Sequence, residues 1–311
     1  MTNRRLSRQF LAAQNLALFL GAVFILALFA VPLWVGIASV LKVGGPYGSY
    51  STQDSHTLRA VLEDPSNLKS VGRSLGFATI TAIAQFCLSL MLARMLFHAR
   101  GSWLLSVCLI PIALPPIATA MMWKALFDYQ SGTVNVIFAM LGLSPKPWLS
   151  TMPVFATVNA SMSPNWAQLS VLLTDTWAWL PFLVGAELLA FARVPQHLIE
   201  SASLEGATDG IVFWRLVCPL SWPYLVILFF IRFLDSYRMF DTVWAFFGRL
   251  PAVEHFSARV YSLGYFERDY TSSLVLAALG VLAISPASTV LLTIIRRVLL
   301  NTGKDLDAAT S

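Results

Sequence analysis

Residues 200–219 read ESASLEGATDGIVFWRLVCP, between the almost continuously apolar runs LPFLVGAELLAFA at 180–192 and LSWPYLVILFF at 220–230. The insert holds two glutamates, an aspartate, an arginine and two glycines. It is too long for a tight turn and too polar for a span. Its meaning depends on what its apolar flanks are.

The composition answers that first. Of 311 residues, 57% are hydrophobic and 12% charged, and the mean hydropathy is +0.69. Soluble domains are less apolar than this. A globular core of this size would bury roughly half of such residues and leave the others as exposed apolar patches. Lipid is the fitting solvent, and the fold class is an all-α membrane protein.

A helix needs about 20 apolar residues to cross a hydrocarbon core of about 30 Å. Six segments qualify: Leu16–Leu41, Val71–Phe97, Trp103–Phe127, Trp166–Phe191, Leu220–Phe247 and Thr271–Ile295. Residues 1–15 form an N-terminal segment, 16–295 the transmembrane domain with the loop 193–219, and 296–311 a C-terminal tail. Arg4, Arg5 and Arg8 precede an apolar run too long for a cleaved signal peptide. They place the N-terminus in the cytoplasm by the positive-inside rule, and six spans then return the C-terminus to the same side. Arg94, Arg100, Arg296, Arg297 and Lys304 agree, but Lys42, Arg59, Lys69 and Lys146 fall in outer loops, so the N-terminal cluster decides the orientation.

The third span carries Pro111, Pro115 and Pro116, so its helix must kink or break. The outer segment Asp128–Asn165 contains NVIFAMLGL, suited to a short interfacial helix, and SPKPWLSTMP, an ordered proline-rich turn. In the fifth span, IRFLDSYRMFDTVW sets Arg232, Asp235, Arg238 and Asp241 three residues apart with alternating sign. Neighbours at that spacing can pair on a helix. An ionised side chain in hydrocarbon costs on the order of 2.5–3.5 kcal/mol or more, so part of this set faces protein or water. Arg232–Asp235 is either a structural pair or part of a polar passage that Asp235, Tyr237, Arg238 and Asp241 line. Asp175 and Trp177, with Gln168 and Trp179, lie in the fourth span. An acid beside tryptophan suits a sugar, whose hydroxyls seek acceptors and whose C–H face stacks on rings.

Several classes lose support. There is no GxxxxGK[ST] loop to bind ATP, and no HExxH, CxxC or GxSxG. His56, His98, His197 and His255 lack metal spacing, and Cys87, Cys108 and Cys218 form no pairing pattern. The net charge of +5 comes with no basic, aromatic-interleaved run, so neither catalysis nor nucleic-acid binding has a positive sign.

The insert itself has internal order. Pro195 can open a helix through His197–Leu204, with Glu200 near its first turn and Ser201, Ala202 and Ser203 forming a low surface. Gly206 permits a reversal. A second amphipathic piece spans Gly210–Val217, and Pro219 opens the next span. This helix–elbow–helix is either an ordinary interfacial loop or a knob for docking in a groove.

The segment resembles the signature loop of ABC-importer permeases, Glu-Ala-Ala, three residues, Gly, nine residues, then Ile-x-Leu-Pro. Glu200, Ala202, Gly206 and Pro219 match, and Leu216 takes the isoleucine place. Ser201, Glu205 and Cys218 depart from the pattern. LEDPSNLKSVGRSL, TDTWAWLPFLVGAELLAFARVPQHLIESASLEGA and DSYRMFDTVW are similar to further stretches of the carbohydrate-uptake branch, of the maltose, glycerol-phosphate and trehalose type. FFGRLP keeps only Gly248 and Pro251 of that branch's Thr-x-Gly-Gly-Pro turn.

The resemblance implies a type I ABC importer permease in a bacterial or archaeal cytoplasmic membrane, forming half of a pathway for a sugar, sugar derivative or polyol by alternating access. It implies a second permease subunit, two cytoplasmic ATP-binding subunits carrying ATP and Mg, and an extracytoplasmic substrate-binding protein. This chain itself would hold no cofactor, metal or catalytic residue. Glu200, Ser201, Ala202, Gly206, Ala207 and Pro219 would couple to the ATPase. A non-sugar importer permease or a stand-alone secondary transporter are the alternatives.

Overall fold

The computed structural model describes residues 57–97, 110–154, 165–251 and 253–310, together with Trp34; side chains are not described at 57, 112 and 298–310. Among these residues the chain is helical, and its one extended pairing is an isolated bridge between Pro153 and Asn165. Among the described residues, four stretches are long and apolar enough to cross a membrane: Pro65–Leu96, Trp166–Phe191, Asp209–Phe247 and Tyr270–Arg297. The expected span 16–41 lies outside the described residues except at Trp34, as do residues 103–109 of the expected third span.

Helix α1 covers Thr57–Glu63 and α2 covers Pro65–Leu96. Helix α2 starts six residues before the expected Val71, because Asp64 caps it by accepting from the Ser66 amide at 2.8 Å and Pro65 fits the first turn. The third span is broken rather than kinked. Helices α3 (Ile110–Ala113) and α4 (Pro116–Leu126) are separated by Pro115 in an extended conformation at φ −55°, ψ 132°. Helix α5, Thr133–Met140, is the expected short helix of this segment, and Trp148 anchors the proline-rich turn by donating to Asn135 Oδ1 at 2.9 Å.

Helix α6, Trp166–Phe191, is capped by Asn165, whose side chain accepts from the Gln168 amide at 2.7 Å. Then come α7 (Gln196–Leu204) and α8 (Asp209–Val212), and a π turn over Phe213–Val217 runs unbroken into α9, Cys218–Tyr237. The expected second loop helix is therefore the first part of the fifth span, not a separate piece. The fifth span, expected to be continuous to Phe247, breaks at 238–240 before α10, Asp241–Phe247. Helix α11 (Phe256–Tyr261) and a second π turn (Ser262–Phe266) lead to α12, Tyr270–Thr310, which passes residue 295 without interruption.

One seam organises the bundle. Ser70, Ser74, Ala78, Ala82, Gln85, Ser89 and Ala93, spaced three or four apart along α2, are each 1% exposed or less. Small side chains let helix backbones approach closely in lipid, and this face packs against α6 and α9. At the loop end, Phe97, Phe191 and Phe213 close the seam as an edge-to-face triangle with centroids 5.2–6.0 Å apart.

The opposite end is held by polar contacts. Arg259 donates to Asn67 at 2.9 Å, Glu267 at 3.0 Å and Asp64 at 3.2 Å. Burial alone would raise the Asp64 carboxyl, but hydrogen bonds from Ser66 and the Arg259 charge outweigh it and hold it below 3.8. His255 meets the Phe77 ring at a tilt, 4.9 Å between centroids, and its Nδ1 has no partner among the described residues. Burial, reinforced by the Arg73 charge, pushes its imidazole from 6.5 down to about 3.

The folded protein thus keeps His255 neutral while the unfolded chain takes up a proton below 6.5, so stability falls as pH drops from there towards 3. At about pH 5 the loss is roughly 2 kcal/mol, from 1.36 kcal/mol per unit. His255→Phe, which keeps the ring contact, is expected to lose clearly less thermal midpoint in detergent than wild type between about pH 7 and pH 5. Equal losses would place the acid sensitivity elsewhere.

Candidate functional site

The charged residues of the fifth span meet partners from two other helices. Arg232 is 1% exposed in the second half of α9. Its Nε donates to Gln85 Oε1 of α2 at 2.6 Å, its Nη1 to Asp235 at 2.8 Å, and its Nη2 to the Asp175 carboxylate of α6. Gln85 returns a bond to the same Asp175 oxygen at 2.8 Å and another to Thr176 at 3.0 Å. The Trp179 ring covers the guanidinium at 4.7 Å. Every nitrogen of the guanidinium is engaged, as a low-dielectric site demands.

Asp235 links this interior to the surface. Its second oxygen accepts from Arg238, 3.1 Å away, whose side chain is 76% exposed at the end of α9. Two arginines and two aspartates therefore form one charge-balanced cluster that opens at the break 238–240. Arg232 is a staple whose donors all point into protein, whereas Asp235 and Arg238 offer an acceptor and a donor at the rim.

Other residues read from the sequence lie elsewhere. Tyr237 is 1% exposed, donates to Gly280 O of α12 at 3.1 Å and stacks on Phe256 at 5.3 Å. A Cβ at Gly280 would run into that Phe256 ring and force it to shift. Asp241 is exposed in the first turn of α10. Trp177 meets Trp123 of α4 edge-on at 5.9 Å, and Trp179 is the tryptophan in the cluster. Sequence reasoning missed Gln85, although a lone amide among small residues three and four apart is a signal. It also passed over Glu187, fully buried, which accepts from Ser89 at 2.7 Å and has one oxygen without a partner among the described residues.

The loop forms a second site. Helix α7 has no buried residue; Glu200, Ser201 and Ser203 are exposed, and Leu204 is 89% exposed. Ile199, Ala202 and Ala207 pack beneath against the core around Phe191 and Phe213. The helix ends in a double closure, the Ala207 amide to Ala202 O and the Gly206 amide to Ser203 O, each 3.0 Å. Gly206 takes φ +86°, a left-handed conformation that such an ending needs and that glycine adopts without strain. Nothing crowds its Cβ direction, so backbone geometry alone selects the glycine. Pro219 is exposed in the first turn of α9.

Comparison with known proteins bears on both sites. Residues 85–300 match the family model described as binding-protein-dependent transport system inner membrane component. The chain is similar to the trehalose/maltose transport system permease protein of Thermococcus litoralis, 28% identical over 196 residues, 62% of each chain. That alignment spans less than two thirds of the relative. It is 29% identical over 222 residues to the sn-glycerol-3-phosphate transport system permease protein of Agrobacterium fabrum, covering 69% of this chain and 70% of that one. Among solved structures, a chain of a bacterial alginate ABC transporter in complex with alginate pentasaccharide-bound periplasmic protein aligns with a TM-score of 0.69. It covers 89% of this chain and 91% of that one at 17% identity, a likeness of fold.

Removing one member of a buried ion cluster leaves an uncompensated charge, which typically costs about 3–5 kcal/mol. Arg232→Leu is expected to lower stability by that order in a detergent unfolding assay, and adding Asp175→Leu to recover a large part. A double variant no better than Arg232→Leu would show that the two side chains do not depend on each other.

Proposed function

Because this chain belongs to the family of binding-protein-dependent transport system inner membrane components, we propose that it is one of two permease subunits forming the solute pathway of an ATP-driven ABC importer. Solute arrives from an extracytoplasmic binding protein. ATP and Mg act on two cytoplasmic subunits, not on this chain. The relatives named for trehalose/maltose and glycerol-3-phosphate transport support a sugar, sugar derivative or polyol as cargo.

The observation that carries the assignment is the form of the loop at 193–219. A helix with no buried residue, closed by a left-handed glycine, stands out from the apolar core at the Glu-x-Ala, Gly and Pro spacing of the family loop. Glu200, Ser201 and Leu204 form the outward face for an ATPase groove, while Ala202, Gly206 and Ala207 fix its angle and Pro219 marks where the loop enters the span. The basic N-terminal cluster supports both termini being cytoplasmic, which sets this loop on the ATPase side.

At the other end of α9, Asp235 and Arg238 border the passage, with Asp241 one break further out. Their mixed charge suits a hydroxyl-rich solute, which uses donors and acceptors together. ATP-driven closure of the ATPase subunits shifts the loop between two states. It shifts the pathway only as far as the ATPase contact differs between them.

A tag on this chain, purified from native membranes, is expected to bring down a nucleotide-binding subunit and a second permease. Recovery without a nucleotide-binding subunit would overturn the proposal. Glu200→Lys is expected to remain in the membrane and reduce uptake at least tenfold. Asp235→Ala and Arg238→Ala are expected to change uptake kinetics while leaving the binding protein's own affinity for solute unaltered.

A further inference from the structure

Arg94 is exposed near the end of α2, yet its guanidinium is held by the opposite side of the loop. It lies 5.8 Å from the Phe213 ring and 5.6 Å from the Trp214 ring, the first two residues of the π turn. A cation over two aromatic faces is attracted by both. A Cβ at Gly210 would sit 3.2 Å from Arg94 Nη2, so the absence of a side chain there keeps the approach open. The Phe97–Phe191–Phe213 triangle lies beside this contact.

The π turn is itself unusual. The Cys218 amide bonds to Phe213 O, five residues back, and such single wide turns are frequent at functional sites. Two chain routes leave it: α8 and the Gly206 elbow lead to α7, and α9 leads to Arg232. Arg94 is on α2, which also supplies Gln85 to Arg232 and Ser89 to Glu187.

We propose that Arg94 is a positioning residue that clamps the π turn to α2, so that displacement of α7 moves α2 and α9 together and reaches the Arg232 cluster. The proposal rests on the importer assignment above. It adds a residue outside the loop and a route, along α2, that the loop motif does not contain.

The test uses the whole transporter, purified through a tag on this chain and placed in lipid nanodiscs. Amide hydrogen exchange is followed by mass spectrometry with and without ATP plus vanadate. In wild type, the nucleotide is expected to change exchange both in 196–217 and in 74–97. Arg94→Leu is expected to keep the change in the loop but to reduce that in 74–97 at least twofold. Arg94→Lys, which retains the cation, is expected to recover most of it. A merely structural role would alter exchange without nucleotide and leave the response intact. A wild-type response in Arg94→Leu, or equal loss in Arg94→Lys, overturns the clamp. A wild-type loop that does not respond to ATP and vanadate overturns the importer assignment instead, and needs no variant to show it.

Discussion

An arginine side chain only 1% exposed inside a membrane-spanning stretch is the constraint on which the rest of this structure depends. Hydrocarbon offers no water to a guanidinium, so its donors must find acceptors in protein. Three helices supply them: Gln85 from α2, Asp175 from α6 and Asp235 from α9 itself. These bonds need the helix axes close and in one register. The column of serines and alanines on α2 makes that approach possible. A buried ion cluster of this kind contributes little net stability compared with an apolar filling of the same shape. Its effect is on register, since sliding any one helix by a turn would strand a charge.

The loop end obeys a different rule, rigidity through backbone closure. The Ala207 and Gly206 amides close α7 by bonds to carbonyls of its last turn, and the π turn joins α8 to α9 without a flexible joint. A surface helix with no buried residue would ordinarily be mobile. Here Ile199, Ala202 and Ala207 rest on the aromatic core, and two backbone hydrogen bonds close the elbow. The outward face can therefore be polar and small without losing its direction.

The sequence revealed most where the cause was local. The first loop helix and its elbow followed from Pro195 and Gly206, the interruption at Pro115 from missing donors, and Arg232–Asp235 from their spacing. The loop motif and the family match then agree on the class of protein. What was illegible depends on contacts between helices. Spacing along α9 pairs Arg232 with Asp235 but says nothing of Gln85 or Asp175, far away in sequence. It also predicts a continuous helix through YRMFDTVW, which has no glycine or proline, whereas the chain breaks at 238–240. Tyr237 goes to Gly280 because α12 packs there, and Trp179 rather than Trp177 covers the arginine for a similar reason. The early start of α2 was readable from Asp64 and Pro65, but an apolar span hides a polar first turn.

These differences bear on what can move. Separating α2, α6 or α9 at the Arg232 cluster would leave a buried polar group with no replacement partner, so the three helices keep that contact. Asp235 is the exception, since it serves Arg232 with one oxygen and Arg238 with the other. Arg238 can leave without stranding anything, being mostly in solvent already. Above it the chain has the break at 238–240, the seven-residue α10 and the left-handed Gly248. The segment just beyond the charged cluster can thus move without stranding a charge, and the cluster itself is the floor against which that segment works.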